Sequence, residues 1–344
     1  MINRISLKNF RSYSSATFDF TNKTNIIIGK NGVGKTNIIE AINILATGSS
    51  FRVGDKDVIQ YEKKQTKITG IFDDRNRELS IYDDKSKEFT IQNTKHKRIN
   101  FSQTIPIVLF EPEFMQIVSK GPNKRREYFD NVLTKIHPTY QTILNKYKRS
   151  LSQRNNLLKS QLFSQDEMFV WNIKISELGG QIALLRLELL DEINQVIGKI
   201  YSDLANKKSE IEISYITKNN QKNYTDSLLK GLEKNITLDK ITGFTSLGTH
   251  RDDFKFVINK KNANISASRG ENRTILLALK IIETKLVEKA RGKPPILLLD
   301  DVFSELDTDR QGKLVDFLYD NQVIITTTTI TPLMKGVSGE IIEL

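Results

Sequence analysis

Residues 29–36 read GKNGVGKT, a full match to the pattern G-x-x-x-x-G-K-[ST]. Gly29, Gly32 and Gly34 release the backbone from the limits a Cβ imposes, so successive N–H groups can turn inward and cradle phosphate oxygens. Lys30, Asn31 and Val33 complete that cradle. The Lys35 ammonium is placed to reach β- and γ-phosphates, the Thr36 hydroxyl to ligate Mg2+, and Asn37 follows directly. The flanks decide the fold. Ile26 to Ile28 predict a strand entering the loop; Ile38, Ile39, Ile42 and Leu45 predict one face of a helix leaving it, with Gly48 as its stop. That order points the positive end of a helix at the phosphates, whereas a chance glycine turn would lack both flanks.

Far downstream, residues 295–301 read PILLLDD. Its four apolar residues predict a strand buried on both faces, which delivers Asp300 to the carboxyl edge of a parallel sheet, where open α/β folds bind ligands. Asp300 suits a Mg2+ held through water. Asp301 stands one position on, where a base or water-orienting carboxylate is wanted for attack on a γ-phosphate. An Asp pair can also simply cap the next helix; the phosphate loop upstream favours the chemical reading.

The rest of the chain organises around these two motifs. Ile5, Leu7 and Phe10, then Phe18 and Phe20, read as short strands, and 66–72, 78–83 and 88–92 resemble a small antiparallel meander. Ile105 to Phe110 predicts another buried strand, closed by Glu111-Pro112. From 123 to 206 the pattern is helical, with Tyr140, Leu144, Tyr147, Leu151 and Leu158 on one stretch and Ile182, Leu185, Leu189, Ile193, Val196 and Ile200 on a second. Strands return near 211–216 and 254–258, a helix spans 271–290, and strands follow at 296–299 and 323–327. The simplest architecture is an α/β nucleotide-binding head with a mixed central sheet, flanking helices and an antiparallel meander. It is built from residues 1–120 and 244–344, with a helical lobe inserted at 121–243.

The 344 residues carry 52 Lys+Arg against 41 Asp+Glu, a formal charge of +11. A basic surface gathers polyanions, although a chain rich in Lys, Asn and Ile can reach such a charge through composition alone. The absence of cysteine excludes disulfides and thiolate metal sites, and His96, His137 and His250 are too scattered for zinc. Metal chemistry would then use oxygen ligands and a magnesium- or calcium-like ion. MINRISLKNFRSY at the start has no apolar core of a signal peptide, and runs such as Ile296 to Leu299 are too short to cross a bilayer; a cytoplasmic protein is expected. Three basic clusters stand out: Lys124, Arg125 and Arg126; Lys95, Lys97 and Arg98 around His96; and Lys146, Lys148, Arg149 and Arg154. Each is either a solvated face or a set of contacts to a nucleic-acid backbone. No base-reading motif accompanies them, so recognition would be of backbone and shape.

After Asp301 comes VFSELD at 302–307, and before the strand SASRGE at 266–271 opens a helix. The order of phosphate loop, insertion, Ser-x-Gly turn, DD strand and SELD resembles the head of an ABC/SMC-type ATPase. The spelling is similar to that of the RecF family, as are LKNFRSY at 7–13, LFEPEFMQIVSKGPNKRREYFD at 109–130 and GTHRDDF at 248–254. The likeness spans essentially the whole chain.

The resemblance implies ATP and Mg2+ as cofactors, slow ATP hydrolysis used as a switch, and a head-to-tail homodimer with two ATPs sandwiched between its subunits. Ser268 and Gly270 would form the signature loop that meets the γ-phosphate held by the other subunit, and Asp307 would lie in the D-loop. Glu111 lies near the Q-loop position, and Arg11 would touch phosphate unless it forms a plain salt bridge. Double-stranded DNA, gaps and single-strand/double-strand junctions are the implied targets, RecR and RecO type mediators the implied partners, and recombinase loading at gaps the implied purpose. Some positions depart from the pattern. Asp301 replaces the glutamate common in transporters, Glu271 stands where Gln is usual and Thr249 where Pro is expected, and Thr326 to Thr329 hold no switch histidine. The missing histidine argues against a transporter, and the short insertion without hook cysteines against a long-armed SMC-type head. The length leaves no room for a nuclease domain, and a scaffold that binds ATP without turnover would share every motif.

Overall fold

The computed structural model describes residues 1–84, 86–112, 117–160, 164–335 and 339–344. In chain order its strands are β1 (Ile2–Phe10), β2 (Tyr13–Asp19), β3 (Thr24–Ile28), β4 (Gln65–Phe72), β5 (Arg75–Tyr82), β6 (Lys87–Ile91), β7 (Thr94–His96), β8 (Ile107–Phe110), β9 (Ile211–Ile216), β10 (Asp253–Ile258), β11 (Lys261–Asn262), β12 (Ile296–Asp300), β13 (Val323–Thr327) and β14 (Gly339–Glu343). Its helices are α1 (Lys35–Thr47), α2 (Pro122–Ile136), α3 (Tyr140–Ser160), α4 (Gln165–Ala205), α5 (Tyr224–Lys234), α6 (Ile236–Thr242), α7 (Ala263–Ser266), α8 (Arg269–Arg291), α9 (Thr308–Leu318) and α10 (Pro332–Lys335). The chain divides into two compact units, Met1–Met115 with Glu283–Leu344, and Gln116–Ile282.

The first unit is built on two sheets. An antiparallel sheet runs β2-β1-β4-β5-β6-β7, which contains the expected meander and extends it by β7. A second sheet, β14-β3-β13-β12-β8, is parallel throughout. β4 alternates exposed and buried positions along its first half, as a sheet with one solvated face should; β12 and β13 are buried at every position, as parallel strands covered on both faces should be. Ile38, Ile39, Ile42 and Leu45 of α1 join one hydrophobic core with Ile5, Leu7, Ile68 and Leu79 of the antiparallel sheet and Leu298 and Ile324 of the parallel one. α1 is therefore buried around most of its girth. Gly70 lets it lie close on β4, because a Cβ there would stand 2.7 Å from a Leu45 methyl.

The second unit corrects the expected domain boundaries. Residues 244–282 pack with the insertion and not with the C-terminal half of the head, because β10 pairs with β9 in a three-stranded antiparallel sheet, β11-β10-β9. The insertion is thus α/β, not purely helical. α4 is 41 residues long, opened by a reciprocal capping box between Ser164 and Glu167 and closed by Asn206 in the left-handed region. Gly179 and Gly180 admit α5 against it: a Cβ at Gly180 would stand 2.0 Å from the Thr225 hydroxyl.

A buried polar network ties this unit together, and the GTHRDDF stretch belongs to it. Arg186 is fully buried and grips Asp130 through two bonds of 3.0 Å, with a third to the Thr249 carbonyl at 2.9 Å. Tyr215 and Tyr224 both donate to Asp252, at 2.7 and 2.5 Å. The His250 Nε2 donates to the Thr245 carbonyl at 3.1 Å, which leaves Nδ1 to accept from the Tyr147 hydroxyl at 2.8 Å. Burial, helped by the charges of Arg251 and Arg126, pushes His250 down to about 4 from 6.5. The unfolded chain takes up this proton below pH 6.5 while the folded one does not, so His250 lowers stability as pH falls from 6.5 towards about 4. Its contribution is on the order of 3 kcal/mol at most. Denaturant unfolding between pH 4.5 and 7 should show stability rising with pH, with a shallower rise in a His250→Asn chain. Equal slopes would remove His250 from this role.

Candidate functional site

The phosphate loop leaves β3 at the carboxyl edge of the parallel sheet, and the Gly29 N–H donates to the Thr327 carbonyl of the adjacent strand at 3.3 Å. Gly34 caps α1 with φ of 109° and Gly32 has φ of 84°, conformations open to glycine at little cost. The Lys35 ammonium, almost fully buried, donates to the carbonyls of Gly29 and Lys30 at 2.6 and 2.9 Å. It therefore lies folded back across its own loop. Lys30, Asn31 and Val33 are exposed on the loop's outer side, and the Asn37 amide donates to the Ser12 hydroxyl at 3.0 Å.

Asp300 ends β12 in register with Thr326 of β13. Its Oδ1 accepts from the Thr36 hydroxyl at 2.9 Å and from the Thr326 hydroxyl at 2.8 Å. The two sequence motifs, 264 positions apart, thus meet directly. One carboxylate and two hydroxyls form an all-oxygen set that fits Mg2+, an ion that takes one or two carboxylates and completes its shell with water and phosphate. Among the described residues no group of three or more His, Asp or Glu side chains converges as a protein-only metal cage.

Asp301 adopts the left-handed region, φ 50°, its N–H held by the Thr326 hydroxyl at 3.1 Å. Burial and the neighbouring Asp300 charge raise its carboxyl above the ordinary carboxylate range. Its Oδ1 is buried and has no hydrogen-bond partner among the described residues. Buried acceptors are rarely left unpaired, so this oxygen is available to a water or substrate proton.

The remaining positions carry local partners. Arg11, also left-handed, clamps Glu40 of α1 through two bonds of 2.9 Å and donates to the Asp57 carbonyl at 2.9 Å. The salt bridge is observed; two guanidinium N–H groups remain beyond these three bonds. Ser268 caps α8 in a reciprocal box with Glu271, at 3.1 and 2.8 Å, a role that glutamate at this position fills as glutamine would. Asp307 caps α9, accepting from the Arg310 N–H at 3.0 Å. Ser268 and Asp307 are exposed, and Gly270 is half-buried. Glu111 follows β8 at the same carboxyl edge as the loop; residues 113–116 of the 109–130 motif lie outside the described residues.

Residues 1–340 match the family described as RecF/RecN/SMC N terminal domain. The chain is 34% identical over 340 residues to the DNA replication and repair protein RecF of Clostridium beijerinckii, covering 96% of this chain and 93% of the relative. The chain belongs to the RecF family. It is also 34% identical to RecF of Streptococcus gordonii over 339 residues, covering 96% of this chain and 94% of that one. A solved structure of the recombination mediator protein RecF-ATPrS in RecFOR pathway superposes with a TM-score of 0.91 at 29% identity, covering all of this chain and 96% of that one. An SmcHead bound to the C-winged helix domain of ScpA shares the fold at TM-score 0.55 and 16% identity, over 97% of this chain and 91% of that one. The expected ABC/SMC-type head is the fold of this RecF-family chain. Among its described residues no helix is long and apolar enough to cross a membrane.

The basic clusters separate once RecF-family residues are placed. Arg125 is only 5% exposed, bound to Asp253 through two bonds of 2.8 Å and to the Val118 carbonyl, so it is a structural residue and not a surface contact. Arg154 is fully buried on Asp239, Asn172 and Thr245. Lys124, Lys146, Lys148 and Arg149 are exposed, as are Lys95, Lys97 and Arg98; Arg126 is half-buried, with a bond to the Asp252 carbonyl. One site residue had escaped the sequence reading, and another had been noted only for the histidine it lacks. Glu40 was visible as a lone acid on the apolar face of α1, and Thr326 as the first of two hydroxyls that end an aliphatic strand.

Proposed function

We propose that this chain is an ATP-gated DNA-binding protein of replication and recombinational repair. The observation that carries this reading is the bond between Thr36 and Asp300, which joins a complete phosphate loop to the DD strand at one sheet edge. Lys35 leaves the carbonyls of Gly29 and Lys30 for the β- and γ-phosphates of ATP, the loop N–H groups bind the phosphate oxygens, and Asp301 orients the attacking water. Thr36, and Asp300 through water, would hold Mg2+, which supplies charge neutralisation at the phosphates. The short Asp301 side chain suits a slow switch and weak turnover. Two copies close head to tail, each setting Ser268, Gly270 and Asp307 against the nucleotide of the other. The exposure of Ser268 and Asp307 supports that role.

The closed dimer grips double-stranded DNA at gaps and single-strand/double-strand junctions, and hydrolysis releases it. Lys124, Arg126, Lys146, Lys148 and Arg149 are the backbone contacts we favour, with Arg125 removed from the set. RecR and RecO type mediators follow as partners because the solved relatives are named for the RecFOR pathway. The test is duplex-DNA affinity with and without ATP–Mg2+ across several salt concentrations. Tight binding that needs ATP and weakens by about one log unit per phosphate contact for each tenfold rise in salt is expected. No binding under any nucleotide condition would sink the DNA reading and leave an ATPase with a different partner.

A further inference from the structure

The turn between β1 and β2 lies against the phosphate loop and is fixed to α1 by the two residues that precede Tyr13. Arg11 holds Glu40, Ser12 accepts from Asn37, and Tyr13 closes the hairpin opposite Phe10. The Tyr13 ring meets Phe18 edge-on at 5.8 Å. Its hydroxyl oxygen lies 2.7 Å from the point where a Cβ on Gly34 would stand. That oxygen is shut off from solvent and has no hydrogen-bond partner among the described residues. A buried phenol without a partner is a cost to the empty protein that packing alone does not require, since phenylalanine fills the same space.

We propose that the Tyr13 hydroxyl is a nucleotide contact, donating its proton to a phosphate oxygen held at the Gly34 end of the loop. The proposal rests on the ATP-binding reading above and adds to it a donor from outside the loop. Burial raises the phenol above its ordinary value, so it keeps the proton it has to donate. The same placement explains the glycine at 34: a side chain there would displace the hydroxyl.

Tyr13→Phe isolates the hydroxyl. Calorimetric titration with ATP–Mg2+ would be run on this variant, the unaltered chain and Lys35→Ala, with thermal unfolding of each without nucleotide. The expected result is ATP affinity weaker by about tenfold or more in Tyr13→Phe, with a melting temperature no lower than that of the unaltered chain. Affinity equal to that of the unaltered chain would overturn this proposal alone. Weaker binding accompanied by earlier melting would also overturn it, assigning the tyrosine to packing. If the unaltered chain itself fails to bind ATP, the nucleotide reading falls and this one with it.

Discussion

A Lys35→Ala chain is expected to bind ATP about a hundredfold or more weakly than the unaltered protein, because a charge-assisted hydrogen bond to phosphate contributes about 1.5–3 kcal/mol and the ammonium reaches two phosphates. The empty fold should tolerate the change. Among the described residues Lys35 donates to the carbonyls of Gly29 and Lys30, and Lys30 lies at the surface, where water can take over. Titration calorimetry with ATP–Mg2+, beside thermal unfolding without nucleotide, separates the two effects. If ATP affinity survived the substitution, Lys35 would be a structural brace of its own loop and not a phosphate ligand. ATP-dependent DNA binding should be lost in the same variant.

Asp301→Asn should leave ATP binding nearly intact and slow turnover by about 10²–10⁴-fold, the range for removing a positioned general base. The substitution is unusually clean at this position. Asp301 has φ of 50°, and asparagine enters the left-handed region as readily as aspartate, so the backbone hydrogen bond to the Thr326 hydroxyl should persist. What changes is the carboxylate, whose buried Oδ1 has no hydrogen-bond partner among the described residues. Single-turnover hydrolysis under saturating ATP is the measurement. A rate equal to that of the unaltered chain would take Asp301 out of the reaction and turn attention to another water-orienting group. The Asp300→Asn chain differs in kind, since Asp300 already holds the Thr36 and Thr326 hydroxyls and its loss should weaken nucleotide binding as well.

The legible parts of the molecule were those in which chemistry repeats a local pattern. Strand, glycine loop and helix at 24–47, and the apolar strand ending in Asp300, follow from periodicity and glycine placement. Arg125 and Arg154 show the opposite case. In sequence they belong to basic runs with Lys124 and Arg149, yet the fold buries each against a carboxylate far along the chain, Asp253 and Asp239. A charge run lists residues without saying which side of a helix faces a partner, and here a single residue step separates the surface cation Lys124 from the buried ion pair of Arg125. The expected boundary at 243/244 differs from the observed division after Ile282 for a related reason: nothing local announces that β10 will pair with β9.

By itself the sequence determined that a nucleotide's phosphates can be held at residues 29–36, that a DD strand can serve them, and that the chain resembles an ABC/SMC-type head. These are properties of contiguous residues, set by backbone freedom at glycine and by the spacing of apolar side chains. Only the tertiary structure decided that Thr36 and Thr326 share the Asp300 carboxylate, that Arg11 is committed to Glu40, and that the Tyr13 hydroxyl waits unpaired over Gly34. Each depends on parallel strands placed side by side or on a hairpin turn laid across a helix. Such pairings are selected by burial of whole surfaces, which no single stretch of the chain contains.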